Sequence, residues 1–101
     1  LDAIGRLDLD IKQDIVFRLG DASDYIEFGY QAGSVFIDRS HQKIEITGEE
    51  EWPINRRSVT VDAQYLQIFF DKNSVEIFVN HGQESLTSII YLQGKKILQQ
   101  V

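Results

Sequence analysis

Serine and histidine are the residues of this chain that could serve as a nucleophile and its base, but their spacing argues against that chemistry. Ser40 and His41 are adjacent, while Ser74 and His81 lie further along the chain. An activated serine needs a base within hydrogen-bonding reach and often lies on a Gly-x-Ser-x-Gly turn, which this sequence lacks. The histidines lie among turn residues and outside any metal-ligand motif. We therefore predict no catalytic residue and no metal site.

Composition excludes most other chemistries. The chain has 101 residues and no cysteine, so thiol nucleophiles, disulfides and thiolate metal sites cannot occur. It lacks a glycine-rich phosphate loop, and we expect no cofactor. No apolar run approaches the roughly 20 residues that span a bilayer, and residues 1–5 do not resemble a signal peptide. The chain contains no methionine, which indicates a processed protein or a piece of a longer one, and the sequence leaves its cellular location open.

The charge of the chain is acidic and unevenly distributed. Sixteen Asp and Glu residues outnumber ten Lys and Arg residues, for a net charge of −6. Residues 1–51 carry twelve of the acids and five of the bases. An acidic chain without a basic stripe is a poor partner for nucleic acid or an anionic membrane, so we expect neither.

The elements that must position the polar residues are β-strands, because apolar and polar residues alternate in six segments. Such a period of two places one face of each strand in a core. Turn residues recur about every ten residues between these segments, which is typical of a sandwich or barrel. The alternating apolar residues are Leu7, Leu9 and Ile11; Ile15, Phe17 and Leu19; Ile44 and Ile46; Val59 and Val61; Leu66, Ile68 and Phe70; and Val75, Ile77 and Val79.

These patterns predict an all-β fold for residues 1–101, a single antiparallel β-sandwich of two packed sheets. We expect about nine strands that follow one another as a meander, because the connections are too short for crossovers. The segment Gly48–Ser58 holds the sole tryptophan and the sole proline, and is predicted to be a loop. Phe69 and Phe78 lie opposite the main apolar face of their strands. A covered outer patch, with another domain as its cover, would explain them.

Two motifs carry a family resemblance. The run from Asp71 to Phe78 reads Asp-Lys-Asn-Ser-Val-Glu-Ile-Phe and continues through Asn-His-Gly to Leu-Thr-Ser. Upstream, residues 35–40 read Val-Phe-Ile-Asp-Arg-Ser. Over roughly residues 14–92 the chain resembles the C-terminal β-sandwich of glycoside hydrolase family 32, the invertases, sucrose-6-phosphate hydrolases and fructanases. That sandwich usually opens with additional strands, so the start of this chain is expected to be clipped, and the tail 95–101 does not match. The motif residues, which we expect to be structural, are Asp38, Arg39, Ser40, Asp71, Ser74, Glu76, Phe78, Asn80, Gly82, Thr87 and Ser88.

The resemblance implies a modular enzyme of which this chain is the accessory part. In that family an N-terminal five-bladed propeller hydrolyses β-fructosidic bonds with retention, using acids in Trp-x-Asn-Asp-Pro, Arg-Asp-Pro and Glu-Cys motifs. None of these motifs can occur here, because the sole proline, Pro53, lies between Trp52 and Ile54 and there is no cysteine. The implied partner is the propeller of the same parent chain, with a homodimer as a further expectation. The parent substrate among sucrose, sucrose 6-phosphate, inulin and levan stays open.

The acids of the motifs suit structure better than catalysis. Retaining hydrolysis needs two carboxyl groups about 5–5.5 Å apart, one of them with a raised pKa. Asp38 and Asp71 end strands, beside basic residues, and Glu76 lies mid-strand, so we expect turn hydrogen bonds and ion pairs. Arg39 is predicted to tie two strands together by pairing with Asp71 or Glu76.

Trp52 is the residue on which an alternative function, sugar binding, depends. An exposed tryptophan, with tyrosines around it, could stack on sugar rings and make this chain a free-standing carbohydrate-binding module. The other interpretation is that Trp52 anchors a loop or an interface. We favour the accessory role over sugar binding, and over an independent enzyme.

Overall fold

The computed structural model describes residues 5–42, 55–71, 73–93 and 97–101. Over these ranges the chain forms nine strands and no helix, so none of the described segments is a helix that could cross a membrane. The strand predicted at Ile44 and Ile46, and the loop with Trp52, lie outside the described residues. The strands are β1 Gly5–Asp10, β2 Ile15–Gly20, β3 Tyr25–Gln31, β4 Ser34–Asp38, β5 Arg56–Thr60, β6 Tyr65–Phe70, β7 Ser74–Val79, β8 Glu84–Ile89 and β9 Ile97–Gln100.

The nine strands form two antiparallel sheets, which confirms the predicted sandwich. The four-stranded sheet has the order β1-β6-β7-β8 and the five-stranded sheet the order β5-β4-β3-β2-β9. The prediction of a simple meander was wrong at both ends, because β1 pairs with β6 and β9 pairs with β2. Among the described strands, sequence neighbours pair from β2 to β5 and from β6 to β8. Strands that are distant in sequence pair in this way because each strand must lie in the sheet where its apolar face meets the opposite sheet.

The core lies between the sheets, and the buried residues from the predicted alternation are Phe17, Leu19, Leu66, Ile68, Val75, Ile77 and Val79. Phe28 of β3 is fully buried near its centre, with its ring 5.9 Å from that of Phe17 and 6.5 Å from that of Phe70. The alternation did not name Phe28, but the described residues that it did name lie in the core or pack against it. Buried apolar residues include Phe17, Leu19, Ile26, Phe28, Val35, Ile37, Leu66, Ile68, Val75, Ile77, Val79, Leu86 and Ile90.

Candidate functional site

The Asp-Arg-Ser motif forms a turn at the end of β4. Asp38 Oδ1 accepts hydrogen bonds from the Ser40 amide at 2.9 Å and the Ser40 hydroxyl at 2.6 Å. Its other oxygen pairs with Arg56 Nη1 of β5 at 3.2 Å. The carboxylate thus fixes the turn and also bridges two neighbouring strands.

These contacts set the protonation of Asp38. Burial by itself would raise the pKa of this carboxyl group, but the Ser40 hydroxyl and amide bonds, with the hydrogen bond and charge of Arg56, outweigh it. The pKa of Asp38 is therefore held below its ordinary value. A general acid in retaining hydrolysis needs a raised pKa, so this direction does not suit that role.

We expect Ser40→Ala to raise the pKa of Asp38, because alanine keeps the backbone amide bond to its carboxylate but removes the 2.6 Å bond from the hydroxyl. A depressed folded-state pKa stabilises the fold above the unfolded value of about 4, and that contribution is lost as pH falls through the folded pKa. The stability gap between wild type and variant should therefore shrink on acidification. NMR titration of the Asp38 carboxyl carbon measures the shift directly. Ser34→Ala, at the other end of β4, is the matched control, and an equal shift in both variants would contradict this assignment.

The second motif closes the β6–β7 turn and joins the turn after β7 to the start of β6. Asp71 Oδ1 accepts from the amides of Asn73 and Ser74, both at 2.8 Å, and closes the β6–β7 turn. Asn80, at φ 50°, accepts with Oδ1 from the Gln64 and Tyr65 amides at 2.8 and 3.1 Å. The turn after β7 is thereby fixed to the start of β6. Sequence reasoning identified Asn80 only as a motif residue, and nothing in the spacing indicated this contact.

The structure brings Asp71 and Glu76 to one shallow cavity of about 140 Å³ and leaves Asp38 on the other sheet. Glu76 Oε2 accepts from the Thr87 hydroxyl at 3.3 Å, on the outer face of the four-stranded sheet. Among the described residues, no three His, Asp or Glu side chains are grouped closely enough to hold a metal ion. Asp71 accepts from amides of its own turn and Glu76 from a strand neighbour, which supports a structural use.

Buried charges join the two sheets at one end of the sandwich. Among the described residues, Asp24 and Arg39 are the charged side chains that are buried, at 1 % and 2 % exposure. Arg39 Nη1 donates to the Ile89 carbonyl at 2.9 Å, and Asp24 Oδ2 accepts from the Gln93 amide at 2.8 Å. We call Asp24, Arg39 and residues 89–93 the polar junction. Arg39 contacts the end of β8 through the Ile89 carbonyl, and Glu76 accepts from Thr87. Pairing with Asp71 or Glu76 stays a prediction.

Sequence reasoning missed Asp24. It lies in the run Asp21-Ala22-Ser23-Asp24, where Asp21 Oδ1 caps the turn by accepting from the Ser23 and Asp24 amides. Asp21 stabilises the turn, whereas Asp24 is buried in the polar junction. No local signal distinguishes them, because the partner Gln93 lies 69 residues away.

The outer face of the five-stranded sheet is covered by its own ion pairs. Arg18 lies over the Tyr25 ring, 4.1 Å from its centroid, and pairs with Glu27 at 3.0 Å. Arg56, besides pairing with Asp38, lies 4.2 Å from the centroid of Phe36. Phe36 is 2 % exposed although it lies on this outer side. Guanidinium groups thus cover the aromatic rings of this face.

The outer face of the four-stranded sheet presents its aromatics differently. Phe69 and Phe78 make an edge-to-face contact with centroids 5.8 Å apart, and both are only partly buried. Arg6 lies 5.2 Å from the Phe69 centroid, farther than the two guanidinium groups on the opposite face. The prediction that Phe69 and Phe78 lie opposite the core is confirmed.

Histidine rings stack on tyrosines at the two sequence-predicted turns. His41 stacks on Tyr25 at 4.8 Å and His81 on Tyr65 at 4.5 Å. Desolvation, the hydrogen bond of the Tyr65 hydroxyl to Asp8 at 3.2 Å and the Asp8 charge raise the pKa of Tyr65. These stacks give both histidines a packing role. The sugar-binding interpretation rested on Trp52, which lies outside the described residues, so it stays a prediction.

The motif residues divide between the two sheets. The structure places Asp38, Arg39 and Ser40 at the end of β4, and the others on β7, β8 and the turns beside them. Gly82, at φ 101°, occupies a backbone conformation that favours glycine, and Ser88 is 5 % exposed on β8. The arrangement closes turns and joins sheets.

Comparison with known proteins gives the family. The model of the glycosyl hydrolases family 32 C terminal matches residues 2–98, well beyond the two motifs. The crystal structure of exo-inulinase from Aspergillus awamori shares the fold, with a TM-score of 0.65 and 17 % sequence identity. That match covers 99 % of this chain and 25 % of the inulinase chain, so this chain spans a quarter of that enzyme. No curated protein matches this sequence. With 97 of its 101 residues matched, the chain belongs to the family of C-terminal domains of family 32 glycosyl hydrolases.

Proposed function

We propose that this chain is the accessory β-sandwich of a β-fructofuranosidase-type glycosidase and stabilises the catalytic propeller that precedes it. The single observation that carries the proposal is the family match over residues 2–98. The length of exo-inulinase, of which this chain covers 25 %, leaves ample room for a catalytic domain in such a parent. Self-association of the parent through the sandwich is a further part of the proposal.

The contacts of the motif residues support an accessory role. Asp38, Asp71 and Glu76 accept hydrogen bonds from their own turns and strand neighbours. The pKa of Asp38 is lowered, whereas a proton donor to a leaving group needs a raised one. On this proposal the bond cleavage takes place in the propeller, and the sandwich contributes stability.

The test compares the whole parent protein, the catalytic domain alone and the 101-residue chain alone. Fructose release from sucrose, inulin and levan should occur with the whole protein and not with this chain. The catalytic domain without the sandwich should unfold at a lower temperature. Fructose release by the 101-residue chain, or a start codon directly upstream of Leu1, would overturn the proposal. In the latter case a carbohydrate-binding module would become the better interpretation.

A further inference from the structure

We infer that the sandwich holds a saccharide-binding groove between the free edges of its two sheets, and that a short fructan chain is its ligand. The groove is lined by residues 56–59 of β5 and 84–87 of β8, and has a volume of about 480 Å³. We call it the edge groove. The saccharide class follows from the groove itself, whereas the choice of fructan rests on the proposed function. The groove involves residues other than Trp52.

The sheet order leaves the edge groove open. Strand β5 ends the five-stranded sheet and β8 ends the four-stranded sheet, so each has a paired neighbour on one side only within the described part of the chain. Packed sheets lie about 10 Å apart, which leaves an opening where both end. The half-buried Val59 and the buried Leu86 give the groove an apolar base. Its volume lies within the range of about 300–1,000 Å³ that is usual for small-ligand pockets.

Strand register places two opposite charges inside the edge groove. Arg57 pairs with Ile37 and Glu84 with Val79, and both of these partners are core residues. Because cross-strand partners share one face of a sheet, Arg57 and Glu84 leave their strands on the inward side. Both are exposed, since the inward side of an end strand opens to water. No ion pair joins these two side chains, although they line the same groove.

The polar groups of the edge groove keep their hydrogen-bonding capacity. Among the described residues, the side chains of Arg57, Ser58, Glu84 and Ser85 make no hydrogen bond or ion pair. The other arginines are all engaged: Arg6, Arg18 and Arg56 pair with carboxylates, and Arg39 donates to a backbone carbonyl. A guanidinium, a carboxylate and two hydroxyls are therefore available together to a ligand in this groove.

These groups match the chemistry of a neutral saccharide. A sugar hydroxyl donates and accepts, so it pairs equally with the N–H groups of Arg57 and with the oxygens of Glu84. Bonds to such charged groups are stronger than bonds between neutral ones. A charged ligand would meet one attractive and one repulsive charge, because Arg57 and Glu84 have opposite signs. The edge groove therefore favours an uncharged ligand rich in hydroxyl groups.

An extended peptide, or a second copy of this chain, is the other occupant that free strand edges suit. Inward charges on an edge strand hinder pairing with a further strand. Arg57 is such a charge on β5, and Glu84 is such a charge on β8. Both edges are thus protected against strand addition while the groove between them stays polar and open. This combination favours the saccharide over the peptide.

The test is a titration of the 101-residue chain with oligosaccharides prepared from inulin and from levan, followed by NMR of the backbone amides. Shifts should be confined to residues 56–59 and 84–87, with a dissociation constant on the order of 1 mM. Arg57→Ala and Glu84→Ala should each weaken binding about tenfold. Arg6→Ala removes an exposed arginine outside the groove and is the matched control, with binding unchanged. Added salt should not weaken binding, because the ligand is neutral.

Several results would overturn this inference. They are the absence of binding, binding that both groove variants keep, and binding of malto-oligosaccharides in preference to fructans. A mass that rises with concentration and falls in the groove variants would show that the edges pair with a second copy instead. Melting of each variant near the wild-type temperature shows that it folds, as expected for exposed positions.

The proposed function fails or stands on a separate measurement. If the whole parent releases fructose but the edge groove binds no fructan, the inference is wrong and the proposed function stands. If the whole parent releases no fructose, the proposed function is wrong, and the choice of fructan as ligand fails with it.

Discussion

Replacing Arg39 by alanine should lower the free energy of unfolding by about 3–5 kcal/mol, the range for removing one member of a buried charged network. Arg39 is 2 % exposed and donates to the Ile89 carbonyl at 2.9 Å. Alanine removes the shorter of two hydrogen bonds to that carbonyl, leaving the Ser88 hydroxyl at 3.3 Å, and opens a void between the sheets. The lost hydrogen bond lies where residues 89–93 leave β8 and run from one sheet toward the other. A domain of this size is stabilised by about 5–15 kcal/mol, so the loss is a large fraction of the total.

Thermal and urea unfolding measure this loss, with Arg6→Ala as the matched control. Arg6 pairs with Asp8, but its side chain is 54 % exposed, so its removal should change stability by less than about 1 kcal/mol. The melting temperature of Arg39→Ala should fall by about 15 °C or more. Arg39→Lys should fall between the two, because lysine keeps the charge and loses the planar fork. Equal stability of Arg39→Ala and Arg6→Ala would show that the polar junction does not hold the sheets together.

The sequence predicts the core well because burial of strand residues is a local property. The alternation of Leu66 and Ile68 with Gln67 and Phe69 states which side of β6 faces the other sheet, whatever strand lies beside it. The same alternation leaves the pairing of β1 with β6 undetermined. That pairing joins residues about 60 positions apart, such as Leu7 and Ile68, and depends on packing of the whole sandwich.

The polar part of the site is less predictable for a related reason. The turn roles of Asp38 and Asp71 follow from short spacings, since aspartate readily accepts from amides two or three residues ahead. The burial of Asp24, and the guanidinium of Arg56 over Phe36, depend on strands that meet only in the folded sandwich. Residues 35–37 read Val-Phe-Ile without alternation, so the sequence could not assign Phe36 to the outer side. Contacts between the two sheets, and contacts between neighbouring strands on one face, therefore cannot be predicted from the sequence alone.

Gly29→Ala should be among the most damaging single substitutions, at about 3 kcal/mol or more. Gly29 lies in the middle of β3 at φ 149°, a backbone conformation that L side chains rarely adopt. An added Cβ would overlap the Ile15 carbonyl oxygen and lie 3.0 Å from the Val16 Cα, both on β2. Both neighbours are backbone atoms, so relief requires β2 and β3 to separate. These two strands form the centre of the five-stranded sheet with β4.

Gly33→Ala is the matched control for this effect. Gly33 has a φ of 81°, and no described atom lies within 4 Å of the position its Cβ would take. Alanine at residue 33 therefore meets conformational strain alone, about 1–2 kcal/mol, whereas at residue 29 the backbone overlap adds to the strain. Urea unfolding of both variants measures the difference. If Gly29→Ala is no less stable than Gly33→Ala, the close approach of β2 and β3 at Gly29 is not a constraint on the fold.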